Sequence, residues 1–291
     1  MLPIDILFLA SCIYVPLLFL LYLAEIWTVL KPGSPFKGSF YILFVVGAFV
    51  DLIFVIDSMQ EFRLVFFPLV NGFFDGYECM HCTSIRITIT YICPFCQDLL
   101  NTFVALNRFT SIRLPVDHAP IWQKLLPISI VFSIVFSIAI FGPAFFRVMY
   151  YTSEDLTFMS WVSFQISKLD KSLQWPTHRM MSIEMITTSI IIIVLYTLAA
   201  RSLSKLTSDS ATKKQERKLL IFGMSNFAIQ IVAMFPQLML DFNFFPIDWI
   251  IVVVYQYAWL TDVKTFCASV TMIVVNTTFR KHMLESFGIK F

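Results

Sequence analysis

The chain has 291 residues, of which 58% are hydrophobic and 14% charged, and Phe alone occurs 32 times. A water-soluble domain carries about 25% charged residues and about 45–50% apolar ones, so this composition excludes a soluble globular protein and points to lipid as the solvent. The net charge of +2 is too small to mark a nucleic-acid binder, and six cysteines over this length do not amount to a disulfide framework.

A helix needs about 20 mainly apolar residues to cross the hydrocarbon core of a bilayer. Taken in chain order, the runs that meet this need are Ile4–Leu30, Phe40–Asp57, Ile85–Ile112, Trp122–Phe146, Met180–Arg201, Leu219–Leu240 and Ile247–Val275. The first residues hold neither a basic n-region nor a small-residue cleavage site, so the first run is expected to act as its own insertion signal. Between the second and third runs, Leu64–Phe74 is too short to span. It holds Pro68 and Gly72, is followed by Asp75, and reads as an interfacial stretch. No internal repeat, low-complexity segment or barrel-like alternation occurs. The expectation is an all-α membrane protein: one seven-transmembrane helix bundle over residues 1–291, in which backbone polar groups are satisfied within each helix. Residues 279–291 form a short tail, and Phe279–Phe287 has the pattern of an amphipathic helix lying on a membrane surface.

Lys and Arg set the orientation. The loops after spans one, three and five, with the tail, hold Lys31, Lys37, Arg108, Arg113, Lys124, Arg201, Lys205, Lys213, Lys214, Arg217, Lys218, Arg280, Lys281 and Lys290. The other side holds Arg63, Arg86, Arg147, Lys168, Lys171 and Arg179. The richer side is expected to be cytoplasmic, with the N-terminus outside and the C-terminus inside. Asn276-Thr277-Thr278 matches a glycosylation sequon but then falls on the cytoplasmic side, where it stays unmodified.

An ionisable group at mid-membrane costs about 2.5–3.5 kcal/mol on insertion scales, so Glu25, Asp51, Asp98, Asp262 and Lys264 each need a reason. Glu25 stands near the inner end of span one and is expected to reach the interface. Asp51 lies near the middle of span two, as part of a switch or as a structural hydrogen-bonding group. Asp98, Asn101, Ala105 and Arg108 are spaced three, four and three apart, on one face of span three. Asp262, Thr265, Ser269 and Asn276 form a similar stripe on span seven. Both stripes and Asp51 are expected to form a buried polar network. Lys264, two residues after Asp262, points to another side, where Asp98 and Glu184 are candidate partners for an ion pair. Pro236, near the outer end of span six, is expected to kink that helix. The pairs Cys79-x2-Cys82 and Cys93-x2-Cys96 look superficially like zinc ligands. The second pair lies inside span three and the linker is short, so no metal site is expected. No nucleotide loop, catalytic triad or HExxH occurs, and neither enzyme activity nor a cofactor is expected.

The third span ends in Leu106-Asn107-Arg108-Phe109. This resembles the Asp-Arg-Tyr signature of G-protein-coupled receptors, with Asn107 in place of the acid. The stretch Pro94-Phe95-Cys96-Gln97-Asp98, then Asn101, Leu106 to Ile112, Pro115, His118 and Ile121-Trp122, resembles the third helix and second inner loop of nematode serpentine receptors of the gamma class and its relative, the V class. The resemblance implies a chemosensory receptor, multi-pass in the plasma membrane of sensory neurons, that couples a small-molecule ligand to a heterotrimeric G protein. In that setting Asn107, Arg108 and Glu216 are the candidate switch, Glu216 being either the resting partner of Arg108 or a solvated loop residue. Pro236 resembles the proline that lets helix six swing. From position alone, Tyr91, Phe95, Glu184, Gln237 and Trp259 are candidate pocket residues. The basic loop Arg201–Lys218 would face the G protein or anionic lipid. A small-solute transporter and a retinal-binding light sensor on Lys264 are the competing classes.

Overall fold

The computed structural model describes residues 3–62, 80–146, 177–205, 210–241 and 247–289, and all of the secondary structure among them is helical. The elements are α1 (Pro3–Leu30), α2 (Ser39–Phe62), α3 (Met80–Arg113), α4 (His118–Phe141), a 3-10 turn (Gly142–Phe146), α5 (Thr177–Lys205), α6 (Ser210–Asp241), α7 (Ile247–Val275) and α8 (Thr277–Ser286). Among the described residues, α1 to α6 each contain a stretch long and apolar enough to cross a membrane. The α7 helix is 29 residues long. The expected interfacial stretch Leu64–Phe74, Cys79 and the segment 147–176 lie outside the described residues, as do the side chains of Cys82 and Gln237.

The fourth span differs from its expected course. It was read as one run to Phe146, but the α-helix stops at Phe141 and continues as the 3-10 turn. Pro143 explains the change: it has no N–H to donate to the carbonyl four residues back.

Long helices need a close approach somewhere to hold together without a hydrophobic drive from water. On α4 that approach comes from Ser129, Ser133 and Ser137, which repeat every fourth residue and are fully buried. The hydroxyls of Ser133 and Ser137 donate to the carbonyls of Ser129 and Ser133, so they bring no unmet polar group into the contact. The opposite face presents Ile128, Val131, Val135 and Ile138, all exposed, as a surface facing lipid needs. Gly223 does the same between α5 and α6. A Cβ added there would lie 2.6 Å from Cζ and 3.0 Å from Cε1 of the buried Tyr196. Gly223→Ala is therefore expected to destabilise the bundle by about 1–3 kcal/mol, read by thermal unfolding of the detergent-solubilised protein. Unchanged stability would mean that the Tyr196 ring swings aside freely.

One end of the bundle is drawn together by its turns. The α1–α2 link turns at Gly33, whose φ of +81° suits a residue without a Cβ. Phe36 from this link tucks under α8, with ring centroids 4.9 Å from Tyr41 and 5.0 Å from Phe279. The Asn276 side chain caps α8 by accepting from the Phe279 N–H at 3.1 Å, and its amide donates to the Tyr41 hydroxyl at 3.1 Å. This residue thus ties α7, α8 and α2 together, and its amide is committed to that joint. At the α3–α4 corner, the Trp122 indole donates to Thr110 Oγ1 at 2.8 Å, with His118 Nδ1 3.1 Å from the same oxygen.

Candidate functional site

The same end holds Arg108, near the C-terminus of α3 and buried. Its guanidinium forms an ion pair with Glu216 of α6 at 3.3 Å and donates to Asn107 Oδ1. It also lies 4.5 Å from the centroid of the Phe40 ring on α2, within the range of a cation–π contact. Glu216 accepts a second hydrogen bond, from Ser111 at 3.1 Å. Asn107 is held in turn, its amide donating to Ser39 at 2.7 Å. The uncharged Asn107 thus orients Arg108 by hydrogen bonding, and the charge comes from another helix. Together these contacts tie α2, α3 and α6 at one place.

Higher in the bundle the polar residues meet across helices, with Asp51 in electrostatic reach of both Lys264 and Asp98. Lys264 Nζ of α7 pairs with Asp98 Oδ1 of α3 at 2.9 Å. Glu184 of α5 lies within electrostatic reach of both. The Tyr22 hydroxyl of α1 stands 2.8 Å from Asp51 Oδ2 and 2.6 Å from the carbonyl oxygen of Thr265, bridging α1, α2 and α7. Tyr14 donates to Asp262. Asn276 belongs to the α8 joint and not to these groups.

Glu25 corrects the sequence reading. It was expected at the interface, but it is 0% exposed, neither carboxylate oxygen has a hydrogen-bond partner, and Ser269 of α7 stands beside it. The reason is periodicity. Ser11, Tyr14, Tyr22 and Glu25 recur at helical spacing on the face of α1 that meets α7 and α2, so the carboxyl is turned inward.

A small cavity, ≈ 30 Å³, lies between α1, α2, α3, α6 and α7, with Tyr22, Asp51, Gln97, Asn101 and Asn226 among its walls. A second, ≈ 10 Å³, adjoins it between α3, α5 and α6 and shares Asn101, Val104 and Asn226. Gln230 faces this second space, fully buried, with neither amide atom hydrogen-bonded. Sequence reading missed Asn226 and Gln230. The signal was there: Glu216, Gly223, Asn226 and Gln230 are spaced seven, three and four apart on one face of α6.

Of the five candidate pocket residues, Tyr91, Phe95, Glu184 and Trp259 are not among the walls of these two spaces, and the side chain of Gln237 lies outside the described residues. Tyr91 and Phe95 pack on Phe141 at the end of α4, with centroids 5.7 and 5.1 Å away. Met181 of α5 joins that cluster, one turn before Glu184. Trp259 is exposed. Pro236 lies inside α6, near its C-terminal end. Among the described residues, no cluster of His, Cys, Asp or Glu is arranged to hold a metal ion.

Comparison with known proteins gives two findings. A model of the Srg family of chemoreceptors matches residues 8–283. The chain is 24% identical over 221 residues to "Serpentine receptor class gamma-9" of Caenorhabditis elegans, a match covering 75% of this chain and 58% of that protein's length.

Proposed function

The chain belongs to the Srg chemoreceptor family, and from that membership we propose that it is a G-protein-coupled chemosensory receptor of the plasma membrane in sensory neurons. It crosses the bilayer seven times, with its N-terminus outside and its C-terminus in the cytosol. A small molecule arriving from outside shifts the balance between two helix arrangements, and a heterotrimeric G protein reads the change at the inner face. The observation that carries this reading is the Arg108–Glu216 pair at 3.3 Å, which joins α3 to α6 beside the N-terminal end of α6. A contact between two charged side chains on different helices can be broken and remade, which a switch requires. It lies among basic flanks: Lys213, Lys214, Arg217 and Lys218 on α6, Arg113 on α3 and Arg201 and Lys205 on α5. That surface suits the acidic faces of a partner or anionic lipid. In this frame Pro236 is the pivot of α6, and Asp51, Asp98, Asn101, Asp262 and Lys264 are the buried groups whose pairing changes.

The test uses heterologous cells expressing the full chain with a tag at each terminus. The N-terminal tag should be accessible on intact cells and the C-terminal tag only after permeabilisation. G-protein activation should exceed that of Arg108→Ala at equal surface expression. Tags on the same face, or equal activation by both proteins, would reject the reading.

A further inference from the structure

The group around Glu184 leaves buried acceptor atoms without partners, which points to a class of ligand. Glu184 is 8% exposed and Asp98 is 0% exposed. The ion pair to Lys264 engages Asp98 Oδ1, and Asp98 Oδ2 has no hydrogen-bond partner. Both carboxylate oxygens of Glu184 are also without one. Thr188, one turn on, donates to the backbone carbonyl oxygen of Glu184 at 2.9 Å. Among the described residues, the carboxyls of Asp98, Glu184 and Asp51 all lie within electrostatic reach of the Lys264 ammonium. A buried polar group without a hydrogen-bond partner is costly, so these free acceptor atoms suit a further positive donor.

The surroundings narrow what that donor is. Phe95 precedes Asp98 by three residues on α3, and Met181 precedes Glu184 by three on α5. Phe95 and Met181 belong to one apolar cluster with Phe141, and Tyr91 packs against it. A wall of aromatic rings and a thioether therefore stands one turn toward the N-terminal ends of both helices, directly before the acidic pair. A bare inorganic cation needs about six oxygen ligands, more than this group offers. An organic ammonium needs two or three acceptors for its N–H groups, and an apolar or aromatic wall for its carbon frame.

We propose that Glu184 and Asp98 form the anionic end of a binding site for an organic ammonium ligand, whose carbon frame rests on Tyr91, Phe95, Phe141 and Met181. This rests on the receptor reading above and names its ligand class. The incoming ammonium competes with Lys264 for Asp98, and so its arrival bears on the contact between α3 and α7.

The probes are 2-phenylethylamine and butane-1,4-diamine, with neutral 2-phenylethanol and sodium chloride as controls. Two readouts are taken: thermal unfolding of the purified protein in detergent, and G-protein activation in cells. At least one amine is expected to raise the unfolding temperature of the wild type, with no shift from either control. In Glu184→Gln the amine concentration giving half the effect should rise about tenfold or more, because a charge-assisted hydrogen bond is lost. Glu184→Asp, which keeps the charge, should recover part of it. No shift with any amine, or an equal shift in wild type and Glu184→Gln, overturns the ammonium site, as does an equal shift with sodium chloride. The receptor reading fails separately, when the wild type activates G protein no more than Arg108→Ala.

Discussion

Lys264→Met is expected to lower the stability of the folded bundle by about 3–5 kcal/mol, the cost of leaving one member of a buried ion pair without its partner. The substitution preserves length and apolar bulk, so little packing is lost. What remains is Asp98, 0% exposed, with its nearest cation removed and Glu184 still in electrostatic reach. Without Lys264 nothing among the described residues of α7 offsets the desolvation of Asp98. Asp98→Asn combined with Lys264→Met removes both charges and should recover more than half of the loss, since a buried pair replaced by neutral groups is often nearly neutral in stability. Thermal unfolding in detergent of wild type, both single variants and the double variant gives the coupling directly. A Lys264→Met protein as stable as wild type, or a double variant worse than both singles, would sink the claim that this pair holds α3 to α7.

How much of this was legible in the sequence depends on the kind of information each feature needs. Helix positions follow from the length and apolarity of the runs, because backbone in lipid has one economical solution. The ends did not follow as closely: α6 begins at Ser210, nine residues before the expected Leu219, α2 runs five residues past Asp57, and α4 stops before Pro143. The faces of α3 and α7 were legible too: Asp98, Ala105, Arg108, Asp262, Thr265 and Ser269 are all buried. Sequence periodicity gives the face of a helix but not its partner across the bundle. Asp51 was singled out, whereas Tyr22, its actual partner, looked like one more aromatic in an apolar run. The Tyr14–Asp262 contact joins residues 248 apart in the chain. Glu25 was misplaced for a related reason. Its depth along the helix was weighed and its rotation about the axis was not.

The α3–α4 corner divides in the same way. The spacing of Asn107, Arg108, Thr110, His118 and Trp122 carried the family resemblance, and most of those residues have structural work. Trp122 and His118 meet at the Thr110 hydroxyl and fix the corner, while Asn107 ties α3 to Ser39 at the start of α2. Arg108 is set apart because its charge is held by a residue on another helix that is partly open to solvent. A motif that serves architecture and a switch together locates the region, but only the cross-helix contact separates the two roles.

Glu216→Ala should raise ligand-independent signalling about three- to tenfold at matched surface expression. The magnitude follows from where the pair sits. The Glu216 side chain is 23% exposed and that of Arg108 5%, so solvent screens the attraction and its net worth is nearer 1 kcal/mol than the value for a fully buried pair. If the pair exists only in the resting arrangement, losing about 1 kcal/mol shifts the resting-to-active ratio about fivefold. Stability should fall little, because Arg108 keeps Asn107 and the face of Phe40. Glu216→Gln should fall between the two, since a neutral amide oxygen still accepts from Ser111 and Arg108 but without the charge. The double variant Arg108→Ala with Glu216→Ala should signal no more than Arg108→Ala alone, because the freed arginine is the group the G protein is proposed to read. Basal signalling that stays level in Glu216→Ala would mean the contact is a fixed joint between α3 and α6. A double variant as active as Glu216→Ala would remove Arg108 from the signalling step and leave it a structural residue.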